Sequence, residues 1–154
     1  MALIRLNNQS ISSVTALPSG IDVGKVLQVV QATYSSTNVN TTSTTFVATG
    51  LDVNITPSST SNKILILGTF QGQTDANGIY TIYRDSTNLL DVRGFFRLEV
   101  ANKQTGYAFS YLDSPSSTSQ INYELFMKNN GSGTVYFHPQ ADCTATIQAI
   151  EIGA

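Results

Sequence analysis

The stretch Ile121-Asn122-Tyr123-Glu124-Leu125-Phe126-Met127-Lys128-Asn129-Asn130-Gly131-Ser132-Gly133-Thr134-Val135-Tyr136-Phe137-His138 decides the fold. Ile121, Tyr123, Leu125 and Met127 fall on one side of an extended chain, and Asn122, Glu124, Phe126 and Lys128 on the other. Successive side chains of a strand point to opposite faces, so this period of two predicts a strand with one face in a core. Asn129-Asn130-Gly131-Ser132-Gly133 then reads as a hairpin, because Asn-Gly accepts the positive φ angles of a type I′ turn. Thr134 to His138 reads as the returning strand.

The same habit runs outward from this stretch. Leu51, Val53 and Ile55 alternate with Asp52, Asn54 and Thr56, as in a half-buried strand. Lys63-Ile64-Leu65-Ile66-Leu67 is apolar on both sides, which predicts a central strand covered on each face. Residues 26–31, 45–49, 79–84, 95–100 and 106–112 read as further strands, separated by turn clusters at 57–62, 75–78, 85–88 and 113–117. No segment reads as a helix. Short strands at this spacing predict an all-β, jelly-roll-like antiparallel β-sandwich.

The last strand, from Cys143 to Ile152, carries an irregularity. Cys143, Ala145, Ile147 and Ala149 share one face opposite Thr144, Thr146 and Gln148, but beyond Gln148 the second face turns apolar with Ile150 and Ile152 while the first reaches Glu151. Either a bulge flips the register or both faces are buried there. Burial on both faces is what a subunit interface needs, so Ile150 and Ile152 are the candidate interface residues.

Composition supports strands and loops. Only 12% of the 154 residues are charged, and Ser, Thr and Asn fill roughly a third of the chain. The length suits one domain with one core. A formal net charge of −2, with scattered basic residues, argues against a sequence-independent grip on nucleic acid. No apolar run approaches the roughly 20 residues of a membrane-spanning helix, so no membrane insertion is expected. The N-terminus lacks the apolar block of a signal peptide and the one cysteine excludes an intrachain disulfide, so a reducing cytoplasm is the expected place of synthesis.

Residues 1–24 stand apart from the body at 25–154. They mix Leu3, Ile4, Leu6, Ile11, Val14 and Leu17 with polar residues without a sustained period, and end in a loose Pro-Ser-Gly joint. They read as an arm whose apolar residues dock on something, or else as a first edge strand packed on its own domain.

Parts for catalysis are scarce. A Ser-His-Asp triad could form only around His138, and no Gly-x-Ser-x-Gly elbow exists. His138 and Cys143 cannot complete a zinc site without carboxylates, and Cys143 reads as a small core residue. Asp22, Asp52, Asp75, Asp85, Asp113 and Asp142 all sit in turn-like or solvent-facing contexts. Asp75-Ala76-Asn77-Gly78 resembles the start of a calcium loop but lacks the remaining ligands. No enzyme, cofactor or metal is expected. Tyrosines such as Tyr80, Tyr83, Tyr107, Tyr111 and Tyr123 could stack on sugars at a surface, or fill the core.

Several segments form a familiar set: residues 1–10, 24–31 and 55–65, Tyr80-Thr81-Ile82-Tyr83-Arg84-Asp85, and Tyr111-Leu112-Asp113-Ser114-Pro115. In this order they resemble a family of small virion structural proteins of tailed phages, of the marine phage and cyanophage type. The resemblance covers nearly the whole chain and consists of structural phrases, without a catalytic motif. It implies a compact β domain on the virion surface, assembled in the host cytoplasm, as a homotrimer with a short N-terminal anchor. The partners it implies are other virion proteins, of the tail fibre or the major capsid, and a host surface glycan or protein. A tail-fibre or receptor-binding tip and a capsid decoration (cement) protein both suit it, and a carbohydrate-binding module is a further reading.

Overall fold

The computed structural model describes residues 25–36, 38–138, 140 and 143–153. Its strands are β1 Val26–Tyr34, β2 Val39–Thr41, β3 Val47–Ile55, β4 Lys63–Thr74, β5 Gly78–Arg84, β6 Thr87–Asn88, β7 Phe96–Leu98, β8 Thr105–Asp113, β9 Ile121–Asn129, β10 Val135–Phe137 and β11 Ala145–Ile152. Each strand pairs antiparallel. No helix occurs among the described residues, and so none long and apolar enough to cross a membrane.

The first sheet runs β1-β11-β4-β10-β2, with β8 on the other edge of β4. Both β11 and β10 lie along one edge of β4, and β1 and β2 follow along them, so these short strands act as two long interrupted ones. The second sheet runs β3-β9-β5-β6, with β7 also on β5. There β6 and β7 lie end to end along β5. Read this way each sheet is four strands wide. In chain order the first strand pairs with the last, the second with the seventh, the third with the sixth and the fourth with the fifth. This is a long hairpin folded double and wrapped into two sheets, the jelly roll.

Alternation supplies the core. Ile121, Tyr123, Leu125 and Met127 of β9 are buried, as are Leu51, Val53 and Ile55 of β3, Ile64, Ile66 and Phe70 of β4, and Ala145, Ile147 and Ala149 of β11. Each fully buried Val, Leu, Ile or Met side chain contributes about 1.5–3 kcal/mol over exposure. Phe70 sits at the centre of an aromatic cluster with Tyr80, Phe96, Tyr107, Phe109 and Phe137 at centroid separations of 4.7–6.2 Å. The Tyr80 hydroxyl donates to the Tyr136 carbonyl at 2.5 Å across the sheets, and burial pushes its pKa far up.

Two expectations are corrected. The Asn129–Gly133 segment is not a hairpin, because β9 belongs to the second sheet while β10 pairs with β4 and β2 in the first. Asn-Gly chemistry reverses the chain but does not choose which edge receives it, and here the buried Val135 and Phe137 draw it across to the first sheet. Asn129 Nδ2 donates to the Gly133 carbonyl to close the crossing. The central strand β4 is covered within this chain on one face only: Ile64 and Ile66 are buried, whereas Leu65 and Leu67 face outward, half-buried.

The irregularity of β11 is not a bulge in that strand. Its register with β4 is unbroken from Thr146↔Thr69 to Ile152↔Lys63, and inward and outward positions alternate to the end. Glu151 therefore enters the core face, 1% exposed. The register shift lies instead in β1, between Val26 and Gln28, and sets Gln28 opposite Glu151. Gln28 Nε2 donates to Glu151 Oε2 at 2.6 Å, while Oε1 accepts from the Ser58 amide at 2.6 Å, the Ser58 hydroxyl at 2.8 Å and Asn62 Nδ2 at 2.6 Å. Burial alone would push this carboxyl up, but the donors outweigh it and hold its pKa at about 2.

A carboxyl depressed in the folded state stabilises above its unfolded value, near 4.5, and loses that contribution as pH falls towards about 2. Glu151→Gln is expected to lower stability by about 2 kcal/mol at pH 7. The loss should shrink between about pH 4.5 and pH 2 in thermal melts of both proteins. A pH-independent difference would show that Glu151 is not ionised in the fold.

Candidate interaction surfaces

The outer face of the first sheet is built by register. Val29 of β1 opposes Ile150 of β11, Ile150 opposes Leu65 of β4, and Leu65 opposes Leu112 of β8. An apolar row thus crosses four strands, with Val29 58% and Leu112 50% exposed. Towards the chain ends, Val26, Ile152 and Lys63 form the next row, beside the exposed Leu27. On the other side come Gln31, Gln148, Leu67 and Ser110, then Thr33, Thr146, Thr69 and Ala108. Gln148 Nε2 donates to Gln31 Oε1 at 2.6 Å, and the Thr69 and Thr146 hydroxyls lie 3.0 Å apart. Lys63 is the one charge in these rows. Ile150 and Ile152, the sequence candidates for a subunit interface, both lie on this face, half-buried. Sequence reading missed Val29 and Leu112, whose place in the row depends on register and not on local pattern.

The outer face of the second sheet differs in chemistry. Asp52 of β3 opposes Glu124 of β9, which opposes Tyr83 of β5. Burial raises the Glu124 pKa, moderated by the Gly50 amide that donates to Oε1 at 3.0 Å and reinforced by Asp52. Tyr83 stacks on Phe126 at a centroid separation of 4.0 Å and meets Phe46 edge-on at 6.0 Å, and Lys128 Nζ lies 4.7 Å from the Phe46 ring centre. Phe46, Tyr83 and Val92 wall an open groove of about 470 Å³, with Thr44, Thr45, Asn88, Asp91 and Lys128 completing its lining.

One side of this groove is a turn fixed by hydrogen bonds. Asn88 Oδ1 accepts from Thr81 Oγ1 at 2.7 Å and from the Leu90 amide at 3.1 Å, and its Nδ2 donates to the Asp91 carbonyl at 2.5 Å. Asp91, at φ 55°, accepts the Arg93 amide on Oδ1 at 2.8 Å. Leu89 and Phe95 donate their amides to the Ile82 and Tyr80 carbonyls, so residues 90–94 bulge from an edge that stays paired to β5.

His138 is buried, with Nε2 2.8 Å from the Cys143 carbonyl and its ring edge-on to Tyr34. Cys143 is half-buried and lines a shallow depression with Thr69 and Tyr107, not a core position as its strand pattern suggests. Asp113 is also a correction: it is buried, where Arg84 Nη1 reaches both its oxygens at 2.9–3.0 Å and the Tyr123 hydroxyl donates at 2.7 Å. Among the described residues, no group of three or more His, Cys, Asp or Glu is placed to hold a metal ion. Leu3, Ile4, Leu6, Ile11, Val14 and Leu17, with Asp22 and Asp142, lie outside the described residues.

No protein-family model matches the chain, and no curated protein matches it. Among solved structures, the chain is similar to the infectious bursal disease virus VP2 subviral particle at 16% identity and a TM-score of 0.40, over 82% of this chain and 38% of the other. A D431N mutant of VP2 from the same virus, in T=1 particles, aligns at 12% identity and 0.41, over 90% and 40%. The Gt strain of that virus aligns at 14% and 0.42, over 100% and 43%. The chain thus spans about two fifths of those chains. At these TM-scores the fold assignment rests on the strand order above.

Gly94 fixes the groove's turn to the sheet. It holds φ +61°, and a Cβ there would stand 2.2 Å from the Tyr80 carbonyl oxygen. Gly94→Ala is expected to cost at least about 2 kcal/mol, a fall in Tm of about 4–8 °C by calorimetry. An unchanged Tm would show that the turn is not seated on β5 as described.

Proposed function

We propose that this chain is a non-enzymatic structural protein of a bacteriophage particle, displayed at the virion surface as a homotrimer of the tail-fibre or receptor-binding type. The observation that carries the reading is the outer face of the first sheet. A row in which the exposed Val29 and Leu112 flank the half-buried Ile150 and Leu65, in four rows with the single charge of Lys63, has the make-up of an interface core, where charged residues are depleted. A second copy would supply the cover on β4 that its doubly apolar sequence calls for. The jelly roll is a fold of viral capsid domains among others, and the resemblance to tailed-phage virion proteins supplies the trimer and the anchoring role of residues 1–24. In this reading Leu3, Ile4, Leu6, Ile11, Val14 and Leu17 dock on neighbouring virion proteins.

A capsid decoration (cement) protein on the major capsid protein is the second reading, favoured by the same face, since cementing asks only for docking surfaces. Copy number separates the two. Quantitative mass spectrometry of purified virions should find a few copies per particle for a fibre component, and an abundance near that of the major capsid protein for a cement. Absence from virions would end both.

Self-association is tested on the protein alone. Sedimentation equilibrium should give a trimer for the full chain and a folded monomer for Leu65→Asp or Ile150→Asp. A wild-type monomer, or variants that remain trimeric, would remove this face from the interface. Deletion of residues 1–24 should leave a folded body that no longer enters particles; retained incorporation would place the anchor elsewhere.

A further inference from the structure

We propose that the groove on the outer face of the second sheet, walled by Phe46, Tyr83 and Val92, is a binding site for a neutral hexopyranose ring of a surface glycan. The proposal goes beyond the structural role above, and uses it for one point only: with the first sheet turned towards neighbouring copies, the second is left facing outward.

The groove combines the two kinds of contact that a sugar ring requires. A pyranose presents axial C–H bonds on a flat face, which pack on aromatic and aliphatic walls, and a rim of hydroxyls, which need donors and acceptors in pairs. Phe46 and Tyr83 supply aromatic walls to an open groove of about 470 Å³, and Val92, 66% exposed, adds an aliphatic one. That volume is in the range of small-molecule sites, about 300–1,000 Å³. Tyr83 is braced by its stack on Phe126 and by the edge of Phe46, so the aromatic wall is fixed before any ligand arrives.

The polar lining is mixed in sign and sparse in number. Asp91 spends Oδ1 on the Arg93 amide, which orients the carboxylate and leaves Oδ2 for a hydroxyl donor. Lys128, held over the Phe46 ring, can donate to a ring or hydroxyl oxygen. Thr44 and Thr45 offer hydroxyls that serve as donor or acceptor. Asn88 is already bonded through both its amide atoms and acts as the support of the Asp91 turn. One carboxylate and one ammonium in the same lining favour an uncharged polyhydroxyl ligand over an anionic or a cationic one. Affinity at one such open site is weak, and repeated copies on a particle would raise it through valency.

The test is saturation-transfer difference NMR on the purified full chain, with methyl β-D-glucopyranoside, methyl β-D-galactopyranoside and a panel of neutral hexopyranose oligosaccharides as probes. Sorbitol serves as an open-chain control. At least one pyranose probe should bind saturably and shift the Phe46 and Tyr83 ring resonances, while sorbitol does not. Asp91→Asn keeps both the positive φ and the bond to Arg93, and should weaken binding about tenfold or more. Lys128→Met should weaken it as well, and the Tm of both variants should stay within about 2 °C of wild type. No saturable binding by any pyranose, equal response to sorbitol, or binding unmoved by both variants would overturn the proposal. None of these outcomes bears on trimer formation or copy number, so failure here and failure of the structural role are told apart.

Discussion

The pairing of β11 between β1 and β4 is the constraint on which the molecule depends. It joins the two ends of the described chain, continues the core with Ala145, Ile147 and Ala149, and places Glu151 where a carboxylate must be satisfied in full. Removing an acceptor from water is costly unless every lone pair finds a donor. Four bonds from Gln28, Ser58 and Asn62 meet that need, and they come from β1 and from the turn between β3 and β4. A one-residue slip of β11 would bring Ile150 inward and leave that carboxylate outside its donors. The carboxylate thus specifies the register as well as accepting its bonds.

The register in turn composes the surface. With Glu151 inward, Ile150 and Ile152 must point outward, and the row through Val29, Leu65 and Leu112 follows from the pairings. A second polar set, the half-buried Arg84 with the buried Asp113 and Tyr123, ties β5 and β9 of one sheet to β8 of the other. In both sets the accepting carboxylate, Glu151 or Asp113, is buried, where bonds weakened by water outside are strong.

Much of this was legible in the sequence. The alternation of β9 and β3 named the core residues, the spacing of turns named the fold class, and the apolar shift at Ile150 named a position on the exposed face. What was not legible depends on partners distant in the chain. The Asn129–Gly133 segment has hairpin chemistry, yet the returning strand goes to the opposite sheet because Val135 and Phe137 find their core there. Asp113 follows a strand and precedes a Ser-Pro turn, so it reads as a turn acid until Arg84 and Tyr123, 29 and 10 residues away, are brought to it. The groove is of the same kind: Phe46, Tyr83, Val92 and Lys128 come from four separate segments, and no local pattern joins them.

The two outer faces divide the surface by chemistry. The first carries aliphatic side chains, amides and hydroxyls with the lone charge of Lys63 in its four rows, which lowers the desolvation cost of bringing another surface onto it. The second carries Asp52, Glu124 and Lys128 beside its aromatic groove, and covering it with a flat protein surface would strand those charges. Burial by another subunit therefore favours the first sheet, and continued contact with water favours the second. In a jelly roll these faces are back to back, so an assembly that covers one presents the other. The same strand order that makes the core thereby sets an inside and an outside for any particle the chain joins.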